Sequence, residues 1–362
     1  LYAIDLNALQ LPASTWEALA SDSEPYWHVT TNVIDPRTGK PKTVYTDGGW
    51  VGLPNAGTLR SFTGSGGAIV RADWFITKAT AFKHYYNLAG VPDTLEATYK
   101  SLGVDGKTIV ELSANHGANV FVSGVTKKAR RLSRWQGPMG AAWQTYDSAV
   151  TKANNDPFRN PTFTGEFDAL ELIATRANGL HLFGIYDGKG KRQNTVPDNI
   201  AKDDSDPHGD GVLQPMVSCV RCHRDDGLKA FSNDQRKLME SAQLLTQDPK
   251  LADRLASFYQ NPKLDKGLER DREDYADVVA KATGGMKVSD VADTLAKVVR
   301  NYEDPVDAAR AACELGTAGL GQLARSNDPV LLAVRSGIPV TRPAFESAIA
   351  EALTLSATEW KR

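Results

Sequence analysis

The chain has 362 residues, 41% of them apolar and 24% charged, a globular balance that excludes an intrinsically disordered protein. With 42 basic against 44 acidic residues the net charge is −2 at pH 7, which argues against the concentrated basic surface of a nucleic-acid-binding protein. No stretch reaches the roughly 18–20 apolar residues that cross a bilayer. The chain begins at Leu1, and the expectation is a mature chain whose export signal has been removed.

The first 212 residues read as a mixed domain in which short apolar runs alternate with glycine-rich turns. Gly64-Ser65-Gly66-Gly67 lacks the helix start and downstream acid of a dinucleotide site, so it reads as a plain turn. The pattern from Asp93 to Lys100 predicts a helix. Lys127, Lys128, Arg130, Arg131 and Arg134 form a basic run that reads as a solvated loop. Gly179 to Tyr186 predicts a buried strand, and the turn Asp187-Gly188-Lys189-Gly190 beside it suggests a hairpin in a small antiparallel sheet. Asp203 to Gly211 is rich in acids, but a calcium loop needs a late Glu. The twelfth positions from Asp204 and Asp206 are Pro215 and Val217, so the segment reads as a solvated acidic loop.

From about residue 213 the pattern turns nearly all helical. Ser232-Asn233-Asp234-Gln235 is a capping box, and Asp248-Pro249 is a cap followed by a first-turn proline. A charged helix runs from about Leu264 to Thr283 and stops at Gly284-Gly285. Further starts fall at Ser289, Asp304-Pro305, Asp328-Pro329 and Thr341-Arg342-Pro343. Cys313, within Ala311-Ala312-Cys313-Glu314, reads as a small buried thiol. The expected fold class is α+β, mainly α: a mixed domain over 1–212 with a small antiparallel sheet, then an all-α domain over 213–362.

The chemistry concentrates in Cys219-Val220-Arg221-Cys222-His223. Two residues between the thiols set them about one helical turn apart, the separation of the two vinyl groups of a haem, and the adjacent imidazole is carried to the iron. A redox dithiol would sit in a strand-to-helix turn of a βαβ unit, which is not visible before residue 219. A zinc site would need a second pair of ligands, and neither Cys313 nor His208 supplies one. The expected cofactor is therefore one covalently attached haem c on Cys219 and Cys222, with His223 on the iron. Covalent attachment outside the cytoplasmic membrane places the chain in the periplasm or among secreted proteins.

Through this motif the chain resembles c-type cytochromes, which implies that the helical domain over 213–362 is cytochrome c-like. It is similar also to large exported bacterial proteins in which a mixed domain precedes a single haem motif. That likeness rests on Arg71-Ala72-Asp73-Trp74-Phe75, Ser123-Gly124-Val125, Gly140 to Asp147, Asn178-Gly179-Leu180 running to Val196-Pro197, Val217 to His223, and Ala311 to Gly316.

Function turns on the ligand opposite His223. Met286, in the loop Gly284-Gly285-Met286-Lys287, is the leading candidate; Met139, His208, His116 and no protein ligand are the alternatives. Met216 lies too close to the attachment side, and Met239 falls on an apolar stripe. The leading expectation is transfer of single electrons to and from a redox partner protein. The rival is open iron acting as a peroxidase or gas sensor, with His116 and Arg130 or Arg134 as acid–base group and cation. A third reading makes the haem structural and gives residues 1–212 a binding role.

Overall fold

The computed structural model describes residues 14–16, 18–19, 30–34, 41–45, 71–113, 117–120, 130–147, 167–196, 201–203, 211–234, 236, 248–357 and 359. The fold is mixed, with helices and antiparallel strands, and it divides into two compact units. One comprises Leu1–Ala79 with Lys297–Arg362, the other Thr80–Ala296. The boundary expected at 212/213 therefore falls inside the second unit. The helices from Val217 to Ala296 supply cover for a sheet and do not stand apart as an all-α domain.

In the first unit, β1 (Thr30–Ile34) pairs antiparallel with β2 (Pro41–Tyr45). Its helical core gathers Val306, Leu315, Leu323, Leu331, Phe345 and Ala352, all fully or nearly fully buried. The helix starts follow capping chemistry. Asp328 accepts from the backbone N–H groups of Val330 and Leu331 ahead of Pro329–Arg335, and Thr341 accepts from Ala344 N–H ahead of Arg342–Ser356. The helix expected at Asp304-Pro305 instead begins at Ala308, capped by Asp307. Cys313 is exposed, contrary to its expected burial: Ala311 faces the core and Cys313, two residues on, does not. Buried Glu314 accepts from both terminal nitrogens of Arg342 at 2.6 and 2.7 Å, and Arg71 and Arg310 reach it as well.

The second unit is built on one sheet of five antiparallel strands in sequence order: β3 (Ala118–Val120), β4 (Arg130–Gly137), β5 (Gly140–Asp147), β6 (Ala169–Thr175) and β7 (His181–Asp187). Period-two alternation sorts the side chains between two faces. On one, Trp135, Leu170, Leu172, Leu182 and Tyr186 pack with Tyr86, Tyr99, Leu102 and Ile109 from the helical segment before the sheet. Gln144, fully buried there, accepts a hydrogen bond from Trp135 Nε1 and donates to the Tyr99 hydroxyl, so its amide is not left unpaired. Gly184 is needed on this face because a Cβ would lie 2.7 Å from the Tyr186 ring, which folds over it.

The opposite face carries Leu132 on β4 and the paired Trp143 and Ile173 on β5 and β6, and is covered by Leu228, Phe231, Leu264 and Leu268. The helix Lys263–Thr283, ended by left-handed Gly284, docks here through a buried ion pair between Arg134 and Asp271. Gly267 permits that approach, since a Cβ would meet Arg134 Cδ at 2.7 Å. The basic run is thus not a solvated loop where it is described. Arg130, Arg131 and Arg134 lie in β4 at 7–9% exposure, and Asp147, Glu171 and Asp271 neutralise Arg130 and Arg134. Lys127 and Lys128 lie outside the described residues.

The outer edge of β7 is occupied by side chains. Phe183 N–H donates to the Tyr85 hydroxyl at 2.8 Å and Ile185 N–H to the Tyr86 hydroxyl at 3.3 Å, while Gln193 N–H returns a bond to Ile185 C=O. Tyr85→Phe leaves the Phe183 donor buried without an acceptor. We expect it to lower stability by about 1–3 kcal/mol and to speed amide exchange at Phe183. Unchanged exchange would show that water replaces the hydroxyl.

Candidate functional site

The motif begins at a strained bend. Met216 adopts φ 70° and ψ −70°, and Val217 N–H donates to Pro215 C=O at 3.1 Å, a γ-turn of the rarer hand. Such a conformation costs on the order of 1–3 kcal/mol and needs support from its surroundings. Support comes from Met216, Cys219 and Val220, which pack on the tyrosine-rich cluster, and from Arg221, whose guanidinium pairs with buried Asp203. The helix Val217–Cys222 follows, and His223 N–H donates to Cys219 C=O at 2.8 Å, so thiols and imidazole share one turn of backbone.

A cavity of about 430 Å³ opens beside Cys222 and His223. Its walls are mainly apolar, with Leu132, Trp143, Ile173, Leu228, Phe231 and Leu268 among them, and its volume lies within the range of small-molecule sites. Polar groups enter from the sheet and from the loop after His223. Arg130, Thr145 and Glu171 come from three neighbouring strands, and Lys229 comes from the loop. Arg130 grips Asp147 with two hydrogen bonds of 2.8 Å and donates a third, also 2.8 Å, to Glu171. Thr145, directly opposite Glu171 in the ladder, has a buried hydroxyl with no hydrogen-bond partner among the described residues.

The electrostatics keep the imidazole neutral. Burial pushes the His223 pKa down to about 4; Glu171 pulls it up, while Arg130 and Lys229 press it further down. A neutral ring is the form that ligates a metal. Its Nδ1 accepts the Lys229 N–H at 3.2 Å, which leaves the ring proton on Nε2. Ligation through Nε2 moves that proton to Nδ1, where the Lys229 bond can no longer be accepted. His181 is neutral too, its pKa lowered to about 3 by burial and then by His223; its ring stacks on Tyr275 at 3.7 Å. Phe183 stands near both imidazoles, with centroids 6.2 Å from His181 and 6.5 Å from His223.

Comparison with protein-family models, with curated proteins and with solved structures finds no match to the chain. The site therefore has to be read from its own chemistry.

Of the residues singled out in the sequence, the structure brings Cys222 and His223 together at the cavity. Cys219, half-buried one turn back, is not among the lining residues. Met286 is 39% exposed in its loop and does not line the cavity. Met139, equally exposed, lines a separate pocket with Arg134, His181 and Tyr275. His116, His208, Met239, the glycine turn at 64–67 and residues 204–210 of the acidic loop lie outside the described residues. Sequence reasoning passed over Glu171, Thr145 and Asp271. The signal for the first two was the alternation of polar and apolar residues along β5 and β6, which places both on the face with Ile173.

The donor set suits a haem better than its rivals. Among the described residues no three His, Cys, Asp or Glu side chains converge as a zinc cage requires. A redox dithiol needs a thiol whose pKa is lowered, whereas burial pushes both Cys219 and Cys222 up. A haem needs two thiols at this spacing, a neutral imidazole and a mainly apolar cavity; Cys222 and His223 meet those needs at the cavity, while Cys219 lies one turn back on the tyrosine-rich cluster and the Lys229 bond to Nδ1 would have to break.

Proposed function

We propose that the chain is a c-type haem protein, with haem held by thioethers to Cys219 and Cys222 and ligated by His223. On this reading it passes single electrons between redox partners in the periplasm or outside the cell. The observation that carries it is the placement of Cys222 and a neutral His223 on one apolar cavity, at the end of a Cys-x-x-Cys-His turn. The bound group supplies reversible one-electron chemistry. Leu132, Trp143, Ile173 and Leu268 exclude water around it, and Arg130 and Lys229 supply positive charge at the cavity wall. The haem is held between a sheet and its covering helices, not within a separate all-α cytochrome c-like domain. Among the described residues no helix is long and apolar enough to cross a membrane, so nothing described opposes an exported location.

The test is expression in a host that attaches haem c, followed by denaturing extraction and visible spectra of both oxidation states. The expected result is a haem that stays with the polypeptide, and its loss in the Cys219→Ala, Cys222→Ala double variant. A polypeptide that leaves such a host without covalent haem would remove the proposal. Among the described residues, no Met and no second His lines the cavity, which favours, as a second reading, an iron open to exogenous ligands.

A further inference from the structure

We infer that the cavity beside His223 takes hydrogen peroxide, with Glu171 as the carboxylate that moves its proton. The inference rests on the haem reading above and extends it by naming an electron acceptor.

Two observations point there. The described lining contains His223 but no second His and no Met, the side chains that close the sixth position of an electron carrier. It does contain a fixed polar group built into the sheet. Glu171 is held by Arg130 at 2.8 Å, Arg130 is in turn clamped by Asp147, and all three strands concerned are neighbours. A carboxylate positioned by a guanidinium, in a mainly apolar cavity, is an acid–base arrangement for a small oxygen species. A larger organic substrate would compete with the haem for about 430 Å³.

The step balances as follows. Glu171 takes the proton from one peroxide oxygen and returns it to the other, which leaves as water when the O–O bond breaks. Arg130 keeps Glu171 in place. The balance is two electrons from a reduced partner, which a bound haem would relay singly, and two protons from solvent, so that each peroxide yields two waters.

The experiment compares ligand binding by the haem-loaded wild type and Glu171→Gln, which retains an acceptor for Arg130. Hydrogen cyanide must lose a proton to bind ferric iron, whereas carbon monoxide binds ferrous iron without proton transfer. Glu171→Gln should slow cyanide association, and peroxide-driven oxidation of ferrocyanide, by about 10²-fold or more while carbon monoxide association stays within about twofold. Equal cyanide association in wild type and Glu171→Gln would overturn the inference. So would a covalent haem indifferent to carbon monoxide, since it would have a sixth protein ligand; electron transfer would then stand alone. A chain without covalent haem would instead remove the attachment reading itself.

Discussion

Asp271→Ala is expected to cost about 3–5 kcal/mol of stability, a large fraction of what holds a domain of this size together. Asp271 is 7% exposed and accepts two hydrogen bonds from Arg134, at 2.7 and 2.8 Å, and one from Trp143 Nε1 at 2.8 Å. Truncation leaves the Arg134 guanidinium buried with only Gln136 as a neutral acceptor. The cost of an uncompensated buried charge exceeds what the intact pair contributes, so removing both partners should hurt less than removing one. Urea titration checks this: the midpoint should fall in Asp271→Ala and recover in part in Arg134→Met, Asp271→Leu. A loss below about 1 kcal/mol would mean that the pair behaves as an exposed one. The same substitution should loosen the cavity wall, because the helix carrying Asp271 also brings Leu268 to it.

Glu314→Ala should be as damaging in the other unit. Its carboxylate is the shared acceptor for Arg342, Arg71 and Arg310, and Arg342 is 2% exposed with its ring-stacking partner Tyr302 fully buried. Losing the acceptor takes the carboxylate away from a buried guanidinium that also donates to Tyr302 C=O, and about 3–5 kcal/mol is the expected penalty. The site also sets an acid limit. Burial alone would raise the Glu314 pKa, but hydrogen bonds and charge from Arg342 and Arg71 outweigh it and hold the group at about 2, against 4.5 ordinarily. The folded pKa is depressed, so the contribution is whole above about pH 4.5 and is lost as pH falls toward 2. Thermal melts at pH 6 and pH 3 should show a steeper acid loss in wild type than in Glu314→Gln. Parallel losses would assign acid sensitivity to other carboxylates.

The parts legible in the sequence were those governed by local rules. Thr94 caps the helix from Leu95, Asp248 and Pro249 start Pro249–Tyr259, and Gly284 stops Lys263–Thr283, because caps and left-handed glycines act within one turn of the residue that signals them. The strand expected before Asp187 is β7, although its hairpin partner lies upstream, across the turn at Gly179; the later turn leads to the segment that lies along the β7 edge. The division into units was not legible, since a helix pattern states that one face will be buried but not against what. The buried arginines were read as solvated for a related reason. Charge patterning in a single strand is silent about partners that lie 17 to 137 residues away in the chain. Of the site, the thiols and imidazole were visible as a motif. The cavity and Glu171 depended on which strands became neighbours.

Tyr85, Tyr86 and the Gln193 segment, which occupy the outer side of β7, also bear on how the protein meets other chains. A bare edge is a template onto which a strand from a second molecule can be zipped, the first step of ordered aggregation. Here the outward donors of Phe183, Ile185 and Asp187 are already bonded, to two phenol hydroxyls and to Lys191 C=O. An incoming strand would have to displace both tyrosines from the core before gaining its first ladder bond. That side of the sheet is therefore closed to strand addition, and at high concentration the second unit resists growth into fibres from that edge.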